Sequence, residues 1–371
     1  MDYKAALSSL EAVSKETADG ILIKNVPEYS HCIAGMLDPR VKKNLQKAIE
    51  HENIPVADEP NIAVLRARMG WPNTDVTNGV VFTEHTSIQS GERVIPVRIY
   101  RTSGNYKPCI VYFHGGGFFG GSLNCVENPC KCLALNADCV VISVDYRLAP
   151  EHPFPQGFDD CYDVIKEIYA APEKYRINNN KIGVCGDSAG GNLAAVCAIR
   201  DRNEGECKIQ YAALVYPTVN IGGRGNEFYK WSIKDYIIHD DRTLTQKAIM
   251  EIGKNAEEKL LTKLYLAGNA ELEKNEYVSP IFMERNKGFP KTLIITAEYD
   301  YLRVEGEAYG MLLKNEVLKN EVLKNAEVDV KMIRYSGMDH AFIDKIGEYP
   351  QAEDAMKEIA KMFTNKENSY E

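Results

Sequence analysis

Two hydrophobic periods divide the chain. Over residues 1–70 apolar positions recur every three or four: Tyr3, Leu7, Leu10 and Val13, then Val41, Leu45 and Ile49 after Asp38-Pro39. That spacing lays an apolar stripe along a helix, and Asp-Pro reads as a cap with Pro at the first helical position. From about Gly79 the pattern changes to short runs rich in Val, Ile, Tyr and Phe. These are GVVFTEHTSI (79–88), VIPVRIYR (94–101), PCIVYFH (108–114), CVVISVDY (139–146), KIGVCGD (181–187), YAALVYP (211–217), KTLIITA (291–297) and VDVKMIRY (328–335). Continuous apolar strands separated by helical stretches predict an α/β architecture with a mostly parallel sheet covered on both faces. The first two runs, close in sequence, suit an antiparallel start to that sheet.

Two segments interrupt the alternation. Residues 218–276, between the sixth and seventh runs, carry Phe228, Tyr229, Trp231 and Tyr236 ahead of a charged helical stretch, and are too long for a plain connection. A tandem repeat, KNEVL-KNEVL-KNAEV, fills 314–328. Its five-residue period advances a helix by about 500°, so equivalent Val residues cannot share a face. The repeat therefore reads as a surface duplication between a helix and a strand.

Composition narrows the class. Of 371 residues 44% are hydrophobic and 26% charged, which disfavours disorder. The formal charge of −9 leaves no basic footprint for nucleic acid or an anionic membrane, and a small neutral substrate fits it best. No apolar run approaches the 18 or so residues of a spanning helix, and the opening residues are too charged for a signal-peptide core, so the expected location is cytoplasmic. Among the ten cysteines the only cluster, Cys125, Cys130 and Cys132, lacks the spacing and the nearby His of a zinc site. Neither a metal nor a disulfide is expected.

Two glycine motifs carry the chemistry. Gly186-Asp187-Ser188-Ala189-Gly190-Gly191 lies directly between a strand run and the helical NLAAVCAIR. A nucleophile elbow needs glycines around its Ser because the backbone is strained and strand and helix approach closely. His114-Gly115-Gly116-Gly117-Phe118 follows the third run; its chance expectation in such a chain is only about 0.003. Backbone N–H groups of Gly116 and Gly117, with that of Ala189, can be aimed at the oxyanion that develops in acyl transfer.

Together with YRLAPEHPFP (146–155), these motifs resemble the hormone-sensitive-lipase-like family of α/β-hydrolases, in its GDSAG-type bacterial carboxylesterase branch, over about residues 75–365. The resemblance implies an α/β-hydrolase fold with an eight-stranded, mostly parallel sheet, helices on both faces and a helical cap. Residues 1–75 are then an N-terminal cap segment, 76–217 and 277–371 the two parts of the core, and 218–276 the cap insertion. It also implies pairing of two copies through the sheet edge at VDVKMIRY.

A nucleophilic Ser needs a base, and the base an orienting acid, in the chain order Ser, acid, His for this fold. After Ser188 only His239 and His340 remain, and His340 follows the last strand run, where the family carries its base. The segment Glu298-Tyr299-Asp300-Tyr301-Leu302-Arg303-Val304-Glu305 is similar to the family's D-x-L-x-D-E. Asp300 takes the acid position, with Glu298 and Asp339 as rivals; Val304 departs from the usual Asp. The resemblance gives His114 a loop-shaping role, and Asp187, Glu151 and Arg147 read as groups that hold loops. Phe118, Phe119, Phe228, Trp231 and Tyr236 are candidate walls of a pocket for small, short-acyl esters. The leading expectation is a serine carboxylesterase without cofactor. A peptidase or amidase of the same fold and a receptor-like, non-catalytic ligand-binding protein are the alternatives.

Overall fold

The computed structural model describes residues 1–12, 14–29, 35–50, 61–318, 321–323 and 328–364. Its strands are β1 (Ser14–Glu16), β2 (Ile21–Lys24), β3 (Phe82–Ser90), β4 (Arg93–Arg101), β5 (Lys107–Phe113), β6 (Val140–Val144), β7 (Ile177–Asp187), β8 (Ile209–Val215), β9 (Lys291–Tyr299), β10 (Glu316–Leu318), β11 (Glu321–Leu323) and β12 (Val330–Asp339). The main sheet has ten strands in the order β1-β2-β12-β9-β8-β7-β5-β6-β4-β3. From β6 to β2 every neighbouring pair is parallel, and the β3–β4 hairpin, β4 on β6, and β1 on β2 are antiparallel.

Central strands are apolar where helices cover both faces: all five residues of β6 are buried, as are the last five of β5 and the last six of β7. The helices are α1 (Tyr3–Ala12), α2 (Pro39–Glu50), α3 (Ile62–Ala67), α4 (Glu127–Asn136), α5 (Gln156–Ala170), α6 (Pro172–Tyr175), α7 (Ala189–Glu204), α8 (Arg242–Glu257), α9 (Leu260–Leu264), α10 (Arg303–Lys314) and α11 (Pro350–Thr364). No helix among the described residues is long and apolar enough to cross a membrane. Buried side chains fall into two cores, one on each face of the sheet: Ile142, Val184 and Leu193 belong to one, Val141, Ile295 and Met356 to the other.

Three expectations change. The sheet has ten strands and not eight, because the N-terminal segment is not wholly helical: it adds β1 and β2 beyond the last core strand. The edge at 328–335 is consequently not free. β12 pairs with β9 on one side and with β2 on the other, Met332 opposite Ile21 and Tyr335 opposite Lys24, so two copies cannot join there by strand addition. Lys24 fixes this attachment. Its buried ammonium donates to the Leu10 carbonyl at 2.9 Å and pairs with Glu358 at 3.0 Å and Asp354 at 3.2 Å on α11. A buried cation without such partners is very costly, so the α1–β2 segment is held to the core by charge as well as by pairing. The described part of the tandem repeat lies between α10 and β12, where β10 and β11 pair only with each other; residues 319, 320 and 324–327 of it lie outside the described residues.

Candidate active site

β7 runs into Asp187, and the chain reverses at Ser188 to enter α7. Ser188 sits at φ +55° and ψ −117°, a strained conformation for an L-residue that lifts its side chain out of the strand-to-helix turn. The neighbouring glycines are required by contact. A Cβ on Gly190 would lie 1.9 Å from the Phe113 carbonyl oxygen, and one on Gly186 would lie 2.3 Å from that of Gly190. Strand β5, the elbow and α7 can meet this closely only where no side chain intervenes.

Ser188 Oγ–H donates to His340 Nε2 at 3.0 Å, and His340 Nδ1–H donates to Asp300 Oδ2 at 2.7 Å. β12 ends one residue before His340, and β9 ends one residue before Asp300, so adjacent parallel strands deliver base and acid at their carboxyl ends. Asp300 is fully buried; its Oδ1 accepts the Leu302 N–H at 3.0 Å, and its own carbonyl accepts the Tyr236 hydroxyl at 2.8 Å. Burial alone would depress the His340 pKa. The facing Asp300 carboxylate outweighs it, so the pKa is raised above the ordinary His value.

The rival acids lie elsewhere. Glu298 accepts the N–H of Gly337 at 2.8 Å and that of Gly35 at 3.4 Å, holding the N-terminal segment to the end of β12. Asp339 faces Lys345 Nζ at 3.5 Å. His239, the other late histidine, donates its backbone N–H to the Gly35 carbonyl, away from Ser188.

The glycine loop after β5 faces the same space. Gly116 and Gly117 have φ of +121° and +61°, and no acceptor for their N–H groups occurs among the described residues. The N–H of Ala189, at the positive end of α7, is oriented by the elbow itself. Asp187 ties the two motifs together: its Oδ1 accepts the Gly115 N–H at 3.0 Å and the Tyr112 hydroxyl at 3.1 Å. Burial pushes the Asp187 pKa up to about 6, while the Tyr112 hydroxyl and His340 hold it from rising further. Burial and the Asp187 charge push Asp344, which lines the cavity with His340, up to about 8. His114 stacks on Tyr146 at 4.4 Å and its Nδ1 lies 2.8 Å from the Gly115 carbonyl, so it braces the loop and is buried away from the nucleophile. Arg147 makes four side-chain bonds to Asp160 and Gln156, as a loop-holding residue should.

A cavity of about 520 Å³ opens above Ser188 and His340. Its walls are Leu45 and Ala48 of α2, Leu65 and Met69 at α3, Phe119, and Ile252 and Leu261 of α8 and α9. Of the five aromatic residues expected to wall it, only Phe119 does. Phe118 is buried in a stack on Tyr265 at 3.8 Å, and Phe228 packs against Phe282 at 6.1 Å. Trp231 packs on Tyr301 at 4.7 Å and donates Nε1–H to the Tyr236 hydroxyl, supporting the Asp300 turn from behind. Three contributors had no assigned contact in the sequence, although Glu305 stands in the segment similar to the family's acid motif. Tyr216 lays its ring 4.8 Å from that of His340. Glu305 accepts from the Val219 N–H and the Tyr229 hydroxyl, holding the chain that leaves β8. Arg66 reaches the glycine loop from α3. Each acts across a long sequence separation, so its partners carry no local signal.

Comparisons with known proteins place the chain in a known family. A family model described as alpha/beta hydrolase fold matches residues 110–344. Esterase LipI of Mycobacterium tuberculosis is 30% identical over 256 residues, covering 67% of this chain and 69% of the relative. Carboxylesterase NlhH of the same species is 28% identical over 309 residues, covering 81% and 87%. A solved esterase of Pyrobaculum calidifontis superposes with a TM-score of 0.68 at 31% identity, over 89% of this chain and 99% of the other. The chain belongs to the hormone-sensitive-lipase-like family of α/β-hydrolases and is a carboxylic ester hydrolase.

Proposed function

We propose that the protein is a serine carboxylesterase of small, short-acyl esters, working through an acyl-enzyme on Ser188. The observation that carries this reading is the unbroken chain from Ser188 Oγ through the His340 ring to the buried Asp300 carboxylate. His340 Nε2 takes the Oγ proton as Oγ attacks the ester carbonyl, and the carbonyl electrons move to oxygen. Gly116, Gly117 and Ala189 N–H groups stabilise that oxyanion, most strongly in the transition state. Collapse expels the alcohol, which takes the proton from His340. Water, deprotonated by the same ring, then releases the acid and restores Ser188. Asp300 keeps the proton on Nδ1 and stabilises the imidazolium without itself being protonated. No cofactor or metal enters these steps.

Substrate size follows from the cavity. About 520 Å³ lies within the usual range for a small-molecule site, and its apolar walls gain about 0.8 kcal/mol per buried methylene only while space remains. The expected optimum is an acyl chain of about two to six carbons, with a steep fall beyond about ten and no activation at a lipid interface. A cytoplasmic location belongs to the same proposal and is supported by the nine described cysteines, all free. Initial rates on aryl esters of two to sixteen acyl carbons test it, and efficient hydrolysis of long-chain triglyceride emulsions would overturn it.

A further inference from the structure

We propose that Arg66 is a positioning residue for the oxyanion loop, so that the N-terminal helix α3 helps to assemble the reaction centre. The inference rests on the assignment of Gly116 and Gly117 as oxyanion donors. Arg66 Nε–H donates to the Phe119 carbonyl at 2.6 Å and Nη2–H to the Ala149 carbonyl at 2.9 Å. The same guanidinium grips both oxygens of Glu151, at 2.8 and 2.6 Å. These contacts bear on the turn that fixes the loop: the Gly116 carbonyl accepts from the Phe119 and Gly120 N–H groups, and the Phe118 carbonyl accepts from the Ala149 N–H. Arg66 therefore closes a staple across two strips of chain that already touch once, one carrying the glycines and the other the Ala149 turn.

Packing independently seats α3 on this turn. A Cβ on Gly120 would lie 2.2 Å from Met69 Sδ and 3.5 Å from Arg66 Cγ, and one on Gly70 would lie 2.7 Å from Cys125 Sγ. Leu65 and Met69, beside Arg66 on the chain, line the cavity over Ser188. The end of α3 and the residues just past it thus touch the substrate space with Leu65 and Met69 and the oxyanion loop with the Arg66 guanidinium. Substrate packed against Leu65 and Met69 favours the seated helix, and the seated helix holds the donors in place. Glu151 is exposed and serves to orient the guanidinium, a bidentate geometry that Lys cannot reproduce.

The test uses the full chain, an aryl butyrate substrate and an aryl trifluoromethyl ketone. The ketone forms a reversible adduct in which Ser188 Oγ bonds to the carbonyl carbon, its proton passes to His340 and the carbonyl oxygen becomes an oxyanion. Arg66→Met keeps an apolar stem against Gly120. We expect kcat to fall about 10- to 100-fold and ketone affinity to weaken in parallel, with KM within about twofold, as for a displaced donor loop. Arg66→Lys should recover only part of the loss, and Glu151→Gln should lose less than Arg66→Met. A raised KM with kcat and ketone affinity intact would assign Arg66 to substrate binding instead. Unchanged kcat and ketone affinity, or losses matched by a collapse of thermal stability in both Arg66 variants, would reduce the contact to packing. If the unsubstituted protein formed no ketone adduct, the serine hydrolase site itself would fail and this role with it. Loss of adduct strength confined to the Arg66 variants supports both.

Discussion

Replacing Gly116 by Ala tests the oxyanion assignment at its most constrained point. Gly116 has φ +121°, where an L side chain is strained, and its new Cβ would lie 2.3 Å from the Gly120 carbonyl oxygen and 2.6 Å from the Gly121 nitrogen. Ordinary contact begins near 3.4 Å, so about an ångström of separation must be found by moving backbone. The atoms in the way belong to the same turn, and the loop can relieve the clash only by rotating the peptides that carry the Gly116 and Gly117 N–H groups. Losing one oxyanion donor costs about 10²–10³ in kcat, or about 2.7–4 kcal/mol of transition-state stabilisation. Steady-state kinetics of Gly116→Ala on an aryl butyrate should therefore show kcat down by that factor with KM within about threefold. Circular dichroism confirms that the sheet persists. A rise in KM at constant kcat would show that the loop binds ground-state substrate, and a variant of ordinary activity would refute the assignment.

Other expectations follow from the same geometry. Ser188→Ala should lower kcat by roughly 10⁴–10⁶ in a folded protein, as measured by aryl ester turnover. Asp300→Asn should lose about 10⁴ and Glu298→Gln far less, since Glu298 faces Gly35 and Gly337; the reverse order in kcat would mean the wrong acid. Because His340 must be neutral to accept a proton and its pKa is raised, activity should climb with pH through an apparent pKa above about 6.5, and a flat pH–rate profile would contradict this. Asp344 has a folded pKa raised to about 8, so the stability it contributes is present below the unfolded carboxylate pKa and is lost as pH rises towards about 8. Thermal melts should show the advantage of Asp344→Asn growing between about pH 4 and pH 8 and staying level above that. Trp231→Ala should leave the acyl-length optimum unchanged and Leu261→Ala should lengthen it, because Leu261 lines the cavity and Trp231 does not.

The parts of the site legible in the sequence are those whose chemistry is local. The elbow around Ser188 and the glycine loop at 115–117 announce themselves because close backbone approach forces glycine at fixed spacing. His340 and Asp300 follow from chain order together with the resemblance to the family's motifs, and in the structure β12 and β9 end one residue before them. What stayed hidden is non-local. β1 and β2 hold three and four residues beside a helical pattern, too few to display a period of two, and β2 joins the main sheet through β12, an edge some 300 residues later. Four of the five aromatic residues lie away from the cavity, because burial of an aromatic side chain does not say against what. Tyr236 turns inward since the Asp300 carbonyl accepts its hydroxyl, and Phe118 since Tyr265 offers a stacking face. Arg66 sits in a short helix whose sequence carries no hint of carbonyls 53 and 83 positions downstream.

The most direct measurement of the central claim is covalent labelling with an aryl phosphonate, followed by digestion and mass spectrometry of the labelled peptide. The account predicts one phosphonyl group per chain, on Ser188, formed faster as pH rises through the His340 titration, and absent from Ser188→Ala. A label on any other residue, or undiminished labelling of Ser188→Ala, would contradict it.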